Sequence, residues 1–280
     1  MTAARGIGGD LRDDLCALAP IGLAELNAHA ALQDRVDVKY VVSRGQLDEL
    51  LAVLAKTHRA LEIDGRRSFA LRTTYYDTLD MLTLREHVQQ RRRRFKCRKR
   101  RYVDSARSMI EVKLKGARGR TVKHAMACDP ADDLRAEELD FLRAVVQREY
   151  GRRFDVALHP ALTATCRRLT IAAPQLGERL TCDVQLDFGD ARLDDRLAIV
   201  ESKSRCGGAV ADRALRGMGV RPVSGCSKYL IGIALTRDGV RDNDLRPLLR
   251  RYFVSDARVP GASSRTPART WTSTRVTSRT

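Results

Sequence analysis

Five stretches of this chain alternate, residue by residue, between an apolar side and a charged side, and that alternation limits the possible folds most tightly. Successive side chains of a β-strand point to opposite faces, so period two marks strands with two chemically different surfaces. In Arg35-Val36-Asp37-Val38-Lys39-Tyr40 one face carries Arg, Asp and Lys while the other carries Val, Val and Tyr. The run from Ile110 to Lys115 sets Glu111, Lys113 and Lys115 against three aliphatics, Arg179 to Phe188 divides in the same way, and Val200 to Lys203 is a shorter echo. From Phe95 to Tyr102, Lys96, Arg98, Arg100 and Tyr102 share a face, although Lys99 and Arg101 occupy the other. One such strand alone describes a sheet with a wet face and a dry face. Several together say more, because a solvated face mixes Thr, Ser, Gln and both charge signs, whereas these faces repeat Lys and Arg with carboxylates at few places. An α+β fold is expected, in which the sheet closes, helices cover its apolar outside, and the charged faces line a lumen.

Cations crowded into a lumen repel one another and are costly to desolvate unless a matching anion neutralises them. Arg offers a planar fork to phosphate oxygens and Lys a mobile point charge, so their alternation along a channel suits a triphosphate or polyphosphate. Glu201, with Glu111, is a candidate holder of a hard divalent ion that bridges phosphate oxygens; each carboxylate could equally pair with a neighbouring lysine. The whole-chain charge of +17 agrees with a polyanionic partner but does not choose one. Nucleic acid is disfavoured, since aromatic residues make up only 5% and no stacking platform or recognition helix is visible. The run Arg91 to Arg94 reads as a solvated approach to a strand or an electrostatic funnel at a tunnel mouth.

Two segments have helical spacing. Ser43 and Gln46 form a capping-box signature ahead of Leu47, Leu50, Leu51 and Leu54, and a second helix is expected from about Asp132 to Arg148. Both read as outer braces. Residues 1–30 are expected as an arm or short packing helix, 31–240 as the main domain, and 241–280 as an extension, disordered from about 259 where Ser, Thr, Pro and Arg dominate. Seven scattered cysteines without a CxxC pair argue against a disulfide framework or zinc site. The five histidines are isolated and read as structural or surface residues. With no signal peptide or apolar span apparent, a cytoplasmic location is expected. Protein partners are not legible.

Taken in order, Arg35-x-Asp37-x-Lys39-Tyr40, Tyr75-Tyr76-Asp77-Thr78, Lys96-x-Arg98-x-Arg100-x-Tyr102, Glu111-x-Lys113-x-Lys115, Arg179-x-Thr181-x-Asp183, Glu201-x-Lys203 and Ser227-Lys228-Tyr229 resemble the motif series of VTC domains, the polyphosphate polymerase domains of the triphosphate tunnel metalloenzymes. The resemblance covers about residues 31–235. It implies an eight-stranded antiparallel β tunnel that takes ATP and a divalent metal, Mn2+ or Mg2+, and passes the terminal phosphoryl group to a growing polyphosphate chain. By motif position Arg98, Arg100, Lys113 and Lys123 would be phosphate clamps with Lys39 and Lys203 beside them. Arg168 would be a further tunnel arginine, Glu201 the metal-binding glutamate, and Lys228 a terminal-helix lysine close to the transferred phosphate. The catalytic set implied is Lys228, Arg98, Arg100 and Glu201. Asp37 stands where the family usually has Glu, Cys166 where it has Tyr, and Ser202 and Ser204 replace commonly apolar or aromatic neighbours of the Glu-x-Lys pair. The same tunnel could also serve a triphosphatase or a non-catalytic polyphosphate- or nucleotide-binding module.

Overall fold

The computed structural model describes residues 15, 17–28, 36–116, 121–205, 207–240 and 243–255. Arg35 and the tail from 259 lie outside the described residues. Strand β1 (Ala19–Ile21) and helix α1 (Leu23–Ala28) precede β2 (Val36–Ser43), α2 (Arg44–Leu54) and β3 (Arg59–Leu61). Next, β4 (Ser68–Asp77) leads through α3 (Leu82–Val88) to β5 (Phe95–Tyr102), β6 (Arg107–Lys115), β7 (Thr121–Ala127) and α4 (Ala136–Tyr150). The long β8 (His159–Ala173) is followed by β9 (Glu178–Asp187), β10 (Ala191–Leu193) and β11 (Leu197–Ser204). Three helices and a strand end the described chain: α5 (Val210–Gly217), α6 (Lys228–Thr236), α7 (Arg246–Tyr252) and β12 (Phe253–Ser255).

Eight strands hydrogen-bond in the order β2, β11, β9, β8, β4, β5, β6, β7, every neighbour antiparallel. Among the described residues the end strands β2 and β7 share no ladder. Even so, Asp37 on β2 and Lys113 on β6 approach to 4.0 Å, so the sheet curls until its two ends face one another across a lumen. Directly opposed residues of neighbouring strands share a face. The register therefore groups Lys39, Glu201 and Thr181, then Arg168 with Asp183, then Tyr75, Arg98 and Glu111, then Lys96, Lys113 and Lys123.

The intervening residues form the outer core. Tyr40, Val42, Leu169, Ile171, Leu180 and Val200 pack beneath the leucines of α2 and Leu215 of α5. Phe95, Cys97, Ile110, Val112 and Leu114 pack beneath Leu142, Val145 and Val146 of α4. All four leucines of the α2 stripe are buried, and its reciprocal Ser43 and Gln46 cap is formed. The second helix begins later than its spacing suggests, at Ala136. Asp132 instead accepts from Arg72 at 2.7 Å and Thr74 at 3.1 Å, which holds that turn against β4. Gly151, at φ +62°, ends α4 in the left-handed conformation that glycine adopts without strain.

Along several strands the lumenal face itself changes from charged to apolar. Val41 follows Lys39 on its face, Ile199 precedes Glu201, and Leu162 and Ala164 precede Arg168. These apolar ends form one cluster with Tyr229, Ile231 and Ile233 of α6 and Leu248 and Leu249 of α7, so the C-terminal helices close that part of the lumen. Gly232 allows the approach: a β-carbon there would stand 2.4 Å from Leu162 and 2.7 Å from Phe188. The described part of the expected C-terminal extension, 243–255, thus packs onto the sheet, with β12 paired to β10. At the other terminus Leu15 and Leu18 are buried and β1 runs parallel to β3.

Candidate active site

Where α6 meets the lumen, Arg168 of β8 grips Asp183 of β9 through two bonds, Nε to Oδ1 at 2.6 Å and an η nitrogen to Oδ2 at 2.7 Å. Lys228, the first residue of α6, donates to the same Oδ2. Burial would push the Asp183 carboxyl up, but the two cations outweigh it and hold the group far below the carboxylate range. One carboxylate thus serves two expected phosphate ligands and leaves a net positive charge. Cys166, on the same lumenal face, has its thiol pushed up by burial, so it is not an activated nucleophile.

A second node surrounds Glu111 on β6. Arg98 donates to Oε2 at 2.6 Å, Lys123 to Oε1 at 2.8 Å, and an Arg100 η nitrogen stands 3.9 Å from Oε2. Despite burial, these three cations hold Glu111 ionised. The Nε of Arg100 is buried without a hydrogen-bond partner, so this guanidinium retains donor capacity for a ligand.

Glu201 forms the third node, with Lys203 Nζ at 3.0 Å and Lys39 directly across the β2 ladder. Burial lowers the Lys203 ammonium to about 8, against the raising effect of Glu201. Burial also lowers Lys113, with Lys39 and Arg98 adding to the effect while Glu201 and Asp37 oppose it. Asp37, one methylene shorter than the glutamate usual there, reaches Lys113 only at 4.0 Å. Lys39 Nζ is anchored by the Cys226 carbonyl at 2.6 Å, just ahead of α6.

The expected site set leaves out Asp37 and Asp183, and it leaves out two further lumenal groups, Lys96 and His87. Lys96 lies between the His87 Nε2 at 3.0 Å and the Ser227 Oγ at 2.9 Å. Burial lowers its ammonium strongly, and Lys39, Lys113 and Arg98 lower it further. His87, brought in by α3, is pushed down to about 3 by burial and the surrounding cations, so its imidazole is neutral near neutrality. Period-two spacing had placed Lys96 on the lumenal face. No sequence signal joined His87 to it, because their contact depends on how α3 packs.

Other parts of the motif series are scaffolding. Asp77 accepts from the backbone N–H groups of Thr78 and Thr83 at 2.8 Å, from Leu84 at 2.9 Å, and from the Tyr229 hydroxyl. It thereby fixes the start of α3 and ties it to α6, while Tyr75 stacks on Tyr229 at 5.1 Å. Ser202 and Ser204 face outward on β11 with buried, unpartnered hydroxyls.

The nine cations named in the lumen are Lys39, Lys96, Arg98, Arg100, Lys113, Lys123, Arg168, Lys203 and Lys228, against four carboxylates, Asp37, Glu111, Asp183 and Glu201. Among the described residues no three His, Cys, Asp or Glu side chains converge as metal ligands. A hard divalent ion held by one or two carboxylates, with phosphate and water completing its shell, needs no such cage. Glu201 fits that mode. Glu111 has both oxygens engaged by cations.

The VTC domain family model matches residues 34–237, well over half of the chain. The chain belongs to the VTC domain family. No curated protein matches it significantly. Among solved structures, HpAC1 from Hippeastrum, described as a candidate adenylyl cyclase with a dominant triphosphatase activity, is 15% identical with a TM-score of 0.45, covering 71% of this chain and 95% of its own. PH1012 from Pyrococcus horikoshii OT3 is 9% identical with a TM-score of 0.44, covering 70% of this chain and 98% of its own. Membership of the VTC family connects the cationic lumen to phosphoryl and polyphosphate chemistry. Among the described residues no helix is long and apolar enough to cross a membrane.

Proposed function

We propose that this VTC-domain protein is a polyphosphate polymerase that transfers the terminal phosphoryl group of ATP to a polyphosphate chain inside the lumen. The observation that carries this reading is the charge excess in the lumen among the described residues, the nine cations named above against four carboxylates, with the buried Arg100 Nε unpartnered. A linear polyanion neutralises such a set along its length, where a compact anion would meet only part of it. In the reaction a terminal oxygen of the acceptor chain bonds to the γ-phosphorus of ATP as the bond to the β–γ bridging oxygen breaks, and ADP leaves. Phosphoryl transfer depends chiefly on positioning and on stabilising charge spread over the phosphate oxygens. Arg98, Arg100, Lys113, Lys123 and Arg168 position the phosphates, with Lys39 and Lys203 beside them. Lys228, held by Asp183 at the head of α6, faces the transferred group. Glu201 would hold Mn2+ or Mg2+, which supplies further neutralisation of phosphate charge when bound.

Incubating the protein with ATP and manganese and resolving ADP, free phosphate and long polymer tests this directly. Polymer with matching ADP is expected, reduced in Glu201→Gln more than ATP binding is. Free phosphate without polymer would make the protein a triphosphatase, and binding without turnover would make it a phosphate-binding module.

A further inference from the structure

Helix α3 has the lumen on one side and a second cationic feature on the other. Leu82, Arg85, Glu86 and Gln89 recur at helical spacing and line a concavity of about 1030 Å³, whereas His87 points the opposite way, to Lys96. The concavity is completed by Arg91, Arg92, Arg93 and Arg152. The chain reverses at Gln90, whose φ is +53°, and Arg91 N–H then bonds back to the Glu86 carbonyl at 2.9 Å, which brings the arginine run beside the helix. Arg152 is fixed by Glu86 at 3.0 Å and Arg85 by Asp80 at 2.7 Å. The guanidinium groups of Arg92 and Arg93 have no partner among the described residues and are exposed.

From this arrangement we infer that the arginine pocket outside α3 is a second polyanion site, which holds a distal stretch of an inorganic polyphosphate chain. The inference rests on the lumen being a polyphosphate site. Five arginines against Glu86 give the pocket a surplus of planar donor forks matched to phosphate oxygens. It has no aromatic lining on which nucleobases could stack, which favours a bare phosphate chain over nucleic acid. Its place across one helix from Lys96 puts it within reach of a polymer too long for the lumen. A triphosphate seated in the lumen is too short to extend to it.

The test measures binding of tripolyphosphate, long-chain polyphosphate and a single-stranded oligonucleotide to the full chain, to Arg92→Glu/Arg93→Glu and to Arg98→Ala. The double variant is expected to lose about tenfold or more in affinity for the long chain while binding tripolyphosphate like the parent. Unchanged long-chain affinity overturns the pocket, as does a loss confined to the oligonucleotide or an equal loss for short and long phosphates. Arg98→Ala should weaken tripolyphosphate. If it does not, the reading of the lumen fails, while the double variant still decides whether the outer pocket binds polymer.

Discussion

Lys99 and Lys96 lie three residues apart on β5 and are both enclosed, but on opposite sides of the sheet. Lys99 faces outward beneath α4, where Glu138 accepts at 2.8 Å and the carbonyls of Ala131 and Asp133 at 2.8 and 2.6 Å. Each ammonium hydrogen has an acceptor, and the charge is neutralised within the fold. Lys96 faces inward to a histidine nitrogen and a hydroxyl, with no carboxylate partner among the described residues and several cations nearby. The outer pair fastens a helix to a strand. The inner group belongs to a set whose neutralisation is left incomplete, which a structural role would not require and an anionic ligand would complete.

The largest expected effect breaks the outer side. Glu138→Gln leaves the Lys99 charge buried without a counter-ion and should lower stability by about 3–5 kcal/mol, read from urea unfolding. On the inner side, Lys96→Met should lose none of that stability, because it removes a cation that others already repel. Equal losses in the two variants would erase the distinction.

Arg100→Met sharpens the comparison next. It retains most of the buried stem but removes a guanidinium held only at 3.9 Å from Glu111. Tripolyphosphate affinity should fall about 10- to 100-fold, the loss expected for a charge-assisted bond, while unfolding stability stays within about 1 kcal/mol of the parent. A large stability loss with unchanged affinity would make Arg100 an outer-type structural cation.

The smallest effect is a proton. Because Lys203 is lowered to about 8 in the fold, the unfolded chain binds more protons there between that pH and its ordinary value of 10.5. The ligand-free protein should therefore gain stability from this group as pH rises through that window. A phosphate ligand favours the charged ammonium, so binding at pH 8.5 should take up a fraction of a proton, seen by calorimetry in buffers of different ionisation heat. Lys203→Met should reduce the uptake; identical uptake would assign it elsewhere.

The alternation of Lys39, Lys113 and Glu111 with apolar neighbours, and the shared face of Arg98 and Arg100, were legible because a strand's two faces follow from backbone geometry alone. The α2 cap was legible for the same reason, since Ser43 and Gln46 are local partners. The start of α4 was not, because Asp132 has helical spacing but is drawn to Arg72 and Thr74 on a distant strand. Nor was the assignment of partners within the lumen: Asp183 serves Arg168 and Lys228, and Glu111 serves Arg98 and Lys123.

By itself the sequence determined that five alternating segments are strands, which of their residues share a face, and that the shared faces carry more positive than negative charge. Only the tertiary structure decided which cations are neutralised, that His87 enters the lumen, that α6 and α7 close part of it, and that Arg91 to Arg93 turn back onto α3. Face alternation is fixed by successive peptide units, whereas these contacts join groups as far apart as Lys96 and Ser227, 131 residues along the chain, and exist only once the sheet has curled.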